Sequence, residues 1–224
     1  MRTVCRYGAW RSARKLAALA IAVAFPTLAV AQQITVAALG DSLTQGYGLP
    51  QEDGFVPQLQ AWLDENGHEV RVINAGVSGD TTAGGLSRVA WTLGDDVDAV
   101  IVALGGNDLL RGLAPEATRE NLDGILEAAG AAEVPVLLAG MTAPANYGAA
   151  YKDSFDAIYP DLAAAHDALL YPFFLAGLGS ADNLAAVQAL MQADGVHPNA
   201  EGVSRMVADI GPFVVELADR ARGG

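Results

Sequence analysis

Residues Ala99–Leu104 read AVIVAL, a run with no polar position on either side. A strand of this kind is buried on both faces, and such strands belong to parallel sheets covered by helices. Four further stretches read as strands: Thr35–Leu39, Glu69–Ile73, Val134–Ala139 and Leu169–Phe174. Helical patterns fill the gaps. Phe55, Leu59, Trp62 and Leu63 share one side of Phe55–Glu65, and Thr81–Leu93 and Pro115–Ala129 read as helices. Lys152–Leu162 is helical until Pro160, which is expected to bend or break it. Asn199–Arg220 is a closing helix with an expected interruption at Gly211-Pro212. This alternation predicts an α/β chain, with a parallel sheet between two helical layers. Right-handed crossovers then gather every strand-to-helix loop at one edge of the sheet.

The 224 residues suit one domain. The first 31 stand apart. Arg2, Arg6, Arg11, Arg14 and Lys15 are basic, and no acid precedes Asp41. The uncharged run Leu16–Ala31 follows and ends Ala29-Val30-Ala31. A basic start, an apolar stretch and a small-x-small end are the marks of a secretory signal peptide. The run is short for a membrane span and contains Pro26. The expectation is cleavage after Ala31, a domain over residues 32–224, and a periplasmic or secreted bacterial location without stable membrane insertion.

Without the leader, eight Lys+Arg face 26 Asp+Glu, a net charge of −18. So acidic a chain is a poor match for nucleic acid or for anionic lipid. The only cysteine, Cys5, lies in the leader, so the remainder has no disulfide, thiol nucleophile or cysteine metal site.

The loops at the shared edge carry the chemistry-bearing residues. The first strand ends in Gly40-Asp41-Ser42-Leu43, and the second leads into Gly76-Val77-Ser78-Gly79-Asp80. The third ends in Gly105-Gly106-Asn107-Asp108, and Asp194-Gly195-Val196-His197-Pro198 comes late in the chain. A serine is a weak nucleophile until a base takes its proton. The base needs an acid to fix its tautomer, and the developing oxyanion needs donors. Ser42 suits the nucleophile, His197 the base and Asp194 the acid. The Ser42 and Gly79 backbone N–H groups and the Asn107 amide suit an oxyanion hole. Alone, Asp41-Ser42 is an ordinary helix cap. Asp41 is expected to cap the turn and hold Ser42, although a phosphoacceptor or metal carboxylate is the competing reading. No G-x-S-x-G elbow surrounds Ser42, which speaks against the α/β-hydrolase class.

GDSLTQGYG, GVSGDTT, GGNDLLRG and DGVHPN together resemble the four blocks of the SGNH (GDSL) hydrolases, in particular secreted arylesterase, thioesterase and lysophospholipase members. The likeness runs from about Ile34 to the C-terminus. It implies a flavodoxin-like three-layer α/β/α fold with strand order 2-1-3-4-5. It also implies catalytic roles for Ser42, Asp194 and His197, oxyanion roles for Ser42, Gly79 and Asn107, and no metal or organic cofactor.

The expected partner is a small acyl ester, taken by a monomer. Leu43, Leu110, Tyr147 and Val196 are the preferred substrate-binding residues, with Leu113, Phe173, Phe174 and Leu175 as further candidates for an acyl pocket. His68, in a polar turn, and His166, near a helix end, are expected to be solvated and structural. Aryl and short-to-medium acyl esters are the favoured substrates, with thioesters and lysophospholipids next. A carbohydrate acetylesterase on the same fold and a non-catalytic binding protein are the alternatives.

Overall fold

The apolar run at Ala99 forms the middle strand. The computed structural model describes residue 3 and residues 33–179 and 183–223; the expected leader otherwise lies outside these residues. Strand β1 (Ile34–Gly40) leads into the short helix α1 (Ser42–Gln45), then α2 (Phe55–Glu65). Next come β2 (Val70–Gly76), α3 (Thr82–Thr92), β3 (Ala99–Ala103), α4 (Gly106–Leu110) and α5 (Pro115–Ala131). The chain continues with β4 (Val136–Ala139), α6 (Ala149–Asp156), α7 (Ile158–Ala165), β5 (Leu169–Tyr171), α8 (Leu184–Ala189) and α9 (Ala200–Gly223). The five strands are parallel, in the order β2-β1-β3-β4-β5.

Strand alternation divides the core into two. Val36 and Ala38 of β1, with Ala99, Ile101 and Ala103 of β3, face the layer of α2 and α9, where Phe55, Leu59, Leu63, Val207 and Ile210 are buried. Ala37, Leu39, Val100 and Val102 face the opposite layer, built on Leu122, Ile125, Phe155 and Tyr159. Successive strand residues point to opposite faces, so a run buried along its whole length must serve both cores.

Two helix expectations change. The break in the Lys152–Leu162 stretch falls at Ala157, between α6 and α7, and not at Pro160. Pro160 sits in the first turn of α7, where a backbone N–H has no helical partner to lose. The closing helix runs unbroken through Gly211-Pro212. Its buried face extends from Val203 to Ala218, on both sides of the proline. Gly211 lies against the Trp62 ring, where a Cβ would come within 2.7 Å of the indole. Packing along the whole face outweighs one missing hydrogen bond.

Candidate active site

Every strand-to-helix loop leaves the carboxyl edge of the sheet, and the site is assembled there. Gly40 ends β1, and Asp41 caps α1: its Oδ1 accepts from the Leu43 backbone N–H at 3.0 Å. Ser42 is therefore the first helical residue, fixed by a strand on one side and a capped turn on the other. Asp194 and His197 come from the connection between β5 and α9. That loop is pinned by the bridge between Met191 and Pro198 and by the Gln192 N–H donating to the His197 carbonyl at 2.7 Å.

His197 Nε2 lies 2.9 Å from Ser42 Oγ, and His197 Nδ1 lies 2.7 Å from Asp194 Oδ2. The other carboxylate oxygen, Oδ1, accepts from the Val196 and His197 backbone N–H groups at 2.9 and 3.0 Å. The hydrogen bond from the His197 ring, helped by these two N–H groups, lowers the Asp194 pKa to about 2. An ionised carboxylate only accepts, so Nδ1 carries the proton and Nε2 presents its lone pair to the serine hydroxyl. The Tyr47 ring packs on the imidazole with centroids 4.8 Å apart.

Asn107 is the second residue of α4. Its Nδ2 donates to Asp41 Oδ2 at 3.1 Å, which leaves the second N–H of the amide for another acceptor. Burial raises the Asp41 pKa to about 6, against the hydrogen bonds from Leu43 and Asn107 that lower it. Gly105, just before α4, has φ 111°, and a Cβ there would meet the Tyr159 hydroxyl at 2.1 Å. Only glycine fits this turn. The Gly79 loop also turns through a positive φ, 84°. The Gly79 carbonyl accepts from Arg111 Nη2 at 2.7 Å, tying the β2 loop to the β3 loop.

A cavity of about 360 Å³ opens beside Ser42. Ser42, Asn107 and His197 line it, together with Asp41. Gly79 and Asp194 lie outside this lining. Its apolar wall includes Leu43, Leu109, Leu110, Met141, Tyr147 and Val196. Leu43, Leu110, Tyr147 and Val196, the four residues preferred for substrate binding, thus line the cavity, as does Leu175. Leu113 and Phe173 are outside the lining, and Phe174 is buried in the core, edge-on to Phe55. Met141 and Pro144, in the loop after β4, line the cavity as well. His68 stacks on Trp62, and His166 pairs with Asp123 at 2.5 Å, both far from this edge in role. Among the described residues there is no group of three metal-ligating side chains.

Two further residues support the site. Asp108 is buried and accepts from the Thr82 backbone N–H at 2.9 Å and from Thr82 Oγ1 at 2.5 Å. It caps the start of α3 from another loop, joining the Gly79 and Asn107 segments. Arg88 of α3 donates to Asp80 Oδ2 and to the Ala75 carbonyl at 2.7 Å, and to the Gly40 carbonyl at 2.9 Å. One guanidinium thus clamps the ends of β1 and β2 and the loop that holds Gly79.

The profile of the GDSL-like lipase/acylhydrolase family matches residues 38–205, from β1 into the closing helix. The chain belongs to that family. It is 40% identical over 184 residues to the esterase TesA of Pseudomonas aeruginosa, covering 82% of this chain and 89% of the relative. It is 38% identical to thioesterase 1/protease 1/lysophospholipase L1 of Escherichia coli, covering 85% of this chain and 84% of the relative. The crystal structure of AlinE4, an SGNH-hydrolase esterase, superposes with a TM-score of 0.67 at 45% identity, covering 83% of this chain and 96% of that one. The protein is a carboxylic ester hydrolase of this family, with the family's sheet order.

Proposed function

We propose that the protein is an exported serine esterase that works through an acyl-enzyme on Ser42. Ser42 Oγ attacks the ester carbonyl while its proton passes to His197 Nε2. The Ser42 and Gly79 backbone N–H groups and the free N–H of Asn107 Nδ2 receive the oxyanion. The tetrahedral adduct collapses, the C–O bond to the leaving group breaks, and the proton on Nε2 goes to the departing alkoxide. Water then enters, gives a proton to Nε2 and attacks the acyl carbon; the second adduct collapses, the bond from the acyl carbon to Ser42 Oγ breaks, the Nε2 proton returns to Oγ, and the acid leaves. Asp194 stays ionised throughout and holds the imidazolium. The observation that carries this reading is the unbroken Asp194–His197–Ser42 chain at 2.7 and 2.9 Å.

The apolar wall of the cavity favours aryl and short-to-medium acyl esters over acetylated sugars, with thioesters and lysophospholipids as further substrates. Residues 1–31 are the leader and residues 32–224 the working domain, active as a monomer in the periplasm or the medium. No described helix is long and apolar enough to cross a membrane.

The test is a series of p-nitrophenyl esters of rising acyl length, given to the protein and to Ser42→Ala. Hydrolysis is expected in the wild type and background rates in the variant. Equal rates in the two would end the serine-esterase reading. A mature chain beginning at Gln32 in the exported fraction is the expected outcome of N-terminal sequencing.

A further inference from the structure

Eight large hydrophobic side chains are exposed among the described residues, and their distribution is one-sided. Tyr47 follows α1, Val77 follows β2, Leu110 and Leu113 follow β3, Tyr147 follows β4, and Val196 stands in the His197 loop. Leu184 lies in the same β5–α9 connection as His197. The connections after all five strands therefore each carry at least one. Only Trp91 falls elsewhere, near the end of α3, where that helix has run back towards the amino edge. Scattered exposed apolar residues need no explanation, but a group gathered around one opening marks an interaction surface.

The group is continuous with the cavity, since Leu110, Tyr147 and Val196 both line it and stand exposed at its mouth. That continuity constrains what covers the surface. A protein partner or a second copy seated on this collar would close the mouth over Ser42. A surface of assembled acyl lipids covers the collar and delivers an ester to the cavity in the same act. Charge selects the kind of lipid. Without the leader the chain carries a net −18, and the collar itself includes the exposed carboxylate Asp194. Arg111, a cation beside it, is engaged on the Gly79 carbonyl. An anionic bilayer would be repelled.

We propose that the carboxyl edge is an interfacial docking surface for zwitterionic lipid assemblies, with the exposed apolar loops seated at the headgroup boundary and the cavity opening onto the lipid. The proposal rests on the ester-hydrolase reading of the cavity. It requires no spanning segment, because apolar side chains at an interface bind in proportion to the area they bury.

Leu113→Asp combined with Leu184→Asp tests it, since both side chains are exposed and neither lines the cavity; Trp91→Asp is the control on the other edge. In flotation with phosphatidylcholine vesicles, the wild type and Trp91→Asp are expected to rise with the lipid. The double variant should partition about tenfold more weakly or worse. Its turnover of soluble p-nitrophenyl butyrate should be unchanged, while its rate on lysophosphatidylcholine falls only above the micelle threshold. A wild type that stays off the vesicles overturns the proposal, as does a double variant that floats as well as the wild type. A dimer that the double variant dissolves, with no flotation by either, assigns the collar to a second copy and overturns it too. Failure of the underlying esterase reading would be visible separately, as no hydrolysis of the soluble ester.

Discussion

Asp41→Asn should make the protein more stable and less active at once. Asp41 is 3% exposed, and burial raises its pKa from 3.8 to about 6. A raised carboxyl pKa means the folded state binds the proton more tightly than the unfolded chain. Its contribution to stability is therefore greatest at low pH and declines as pH rises from about 4 through about 6. At about 1.4 kcal/mol per pH unit, keeping this group ionised at pH 7 costs about 3 kcal/mol. The amide removes that cost. It cannot, however, accept at both positions. If its oxygen keeps the Leu43 N–H, its NH₂ confronts the Asn107 NH₂, and Asn107 must turn its oxygen towards Asp41's place. The oxyanion then meets a lone pair instead of a donor. If the new amide turns instead, the α1 cap is lost, at about 1 kcal/mol. The reaction takes the cheaper route, so kcat should fall between about tenfold, the cap with its donor clash, and about 10³-fold, a lost oxyanion donor. KM should change little. Urea unfolding at pH 5 and pH 8, with p-nitrophenyl butyrate kinetics, reads both quantities. Wild-type stability should fall over that interval more steeply than that of the variant. A variant that unfolds more easily at pH 8 and keeps full kcat would refute the assignment of Asp41 as the group that orients Asn107.

Asp194→Asn should lower kcat by about 10²–10⁴-fold, because the amide no longer demands the Nδ1–H tautomer, with little change in KM. Between pH 5 and 8 wild-type activity should show no loss from protonation of Asp194, whose pKa of about 2 keeps it ionised; an Asp194 carboxyl signal titrating within that range in NMR would count against this. Arg88→Met keeps the length of the side chain but strands two carbonyls and a carboxylate; a loss of about 2–4 kcal/mol in urea unfolding is expected, and a loss under 1 kcal/mol would mean water replaces the clamp.

The sheet was legible because its inner strands β3 and β4 are apolar and buried on both faces, a pattern that no surface helix shares. Phe55–Glu65 and the start of α5 at Pro115 were legible for a similar reason: spacing and an N-terminal proline act locally. The course of Pro212 was not, because the decision belongs to Trp62 and the β-sheet beneath, far away in the chain. The residues of the site follow the same division. Ser42, Asn107, Asp194 and His197 sit in loops whose position at one edge follows from right-handed parallel topology. Gly79 was placed by the same rule, and its carbonyl, held by Arg111, became visible only in three dimensions. Arg88 and Asp108 act on backbone groups of other loops, and nothing in a local window reveals which carbonyl a guanidinium will reach. Phe174 and Leu175 are neighbours of equal hydrophobicity, yet one is core and the other cavity wall.

Asp194 and His197 lie three positions apart and are joined by two hydrogen bonds, with a third from the Val196 N–H between them to Asp194. The acid and the base therefore form one preassembled part. A triad drawn from three distant segments must close two long loops; here a single closure, between residues 155 positions apart, completes it. The catalytic register of the molecule thus has one adjustable joint, the contact between the imidazole and the serine, and any shift of the terminal loop moves base and acid together without disturbing their own alignment.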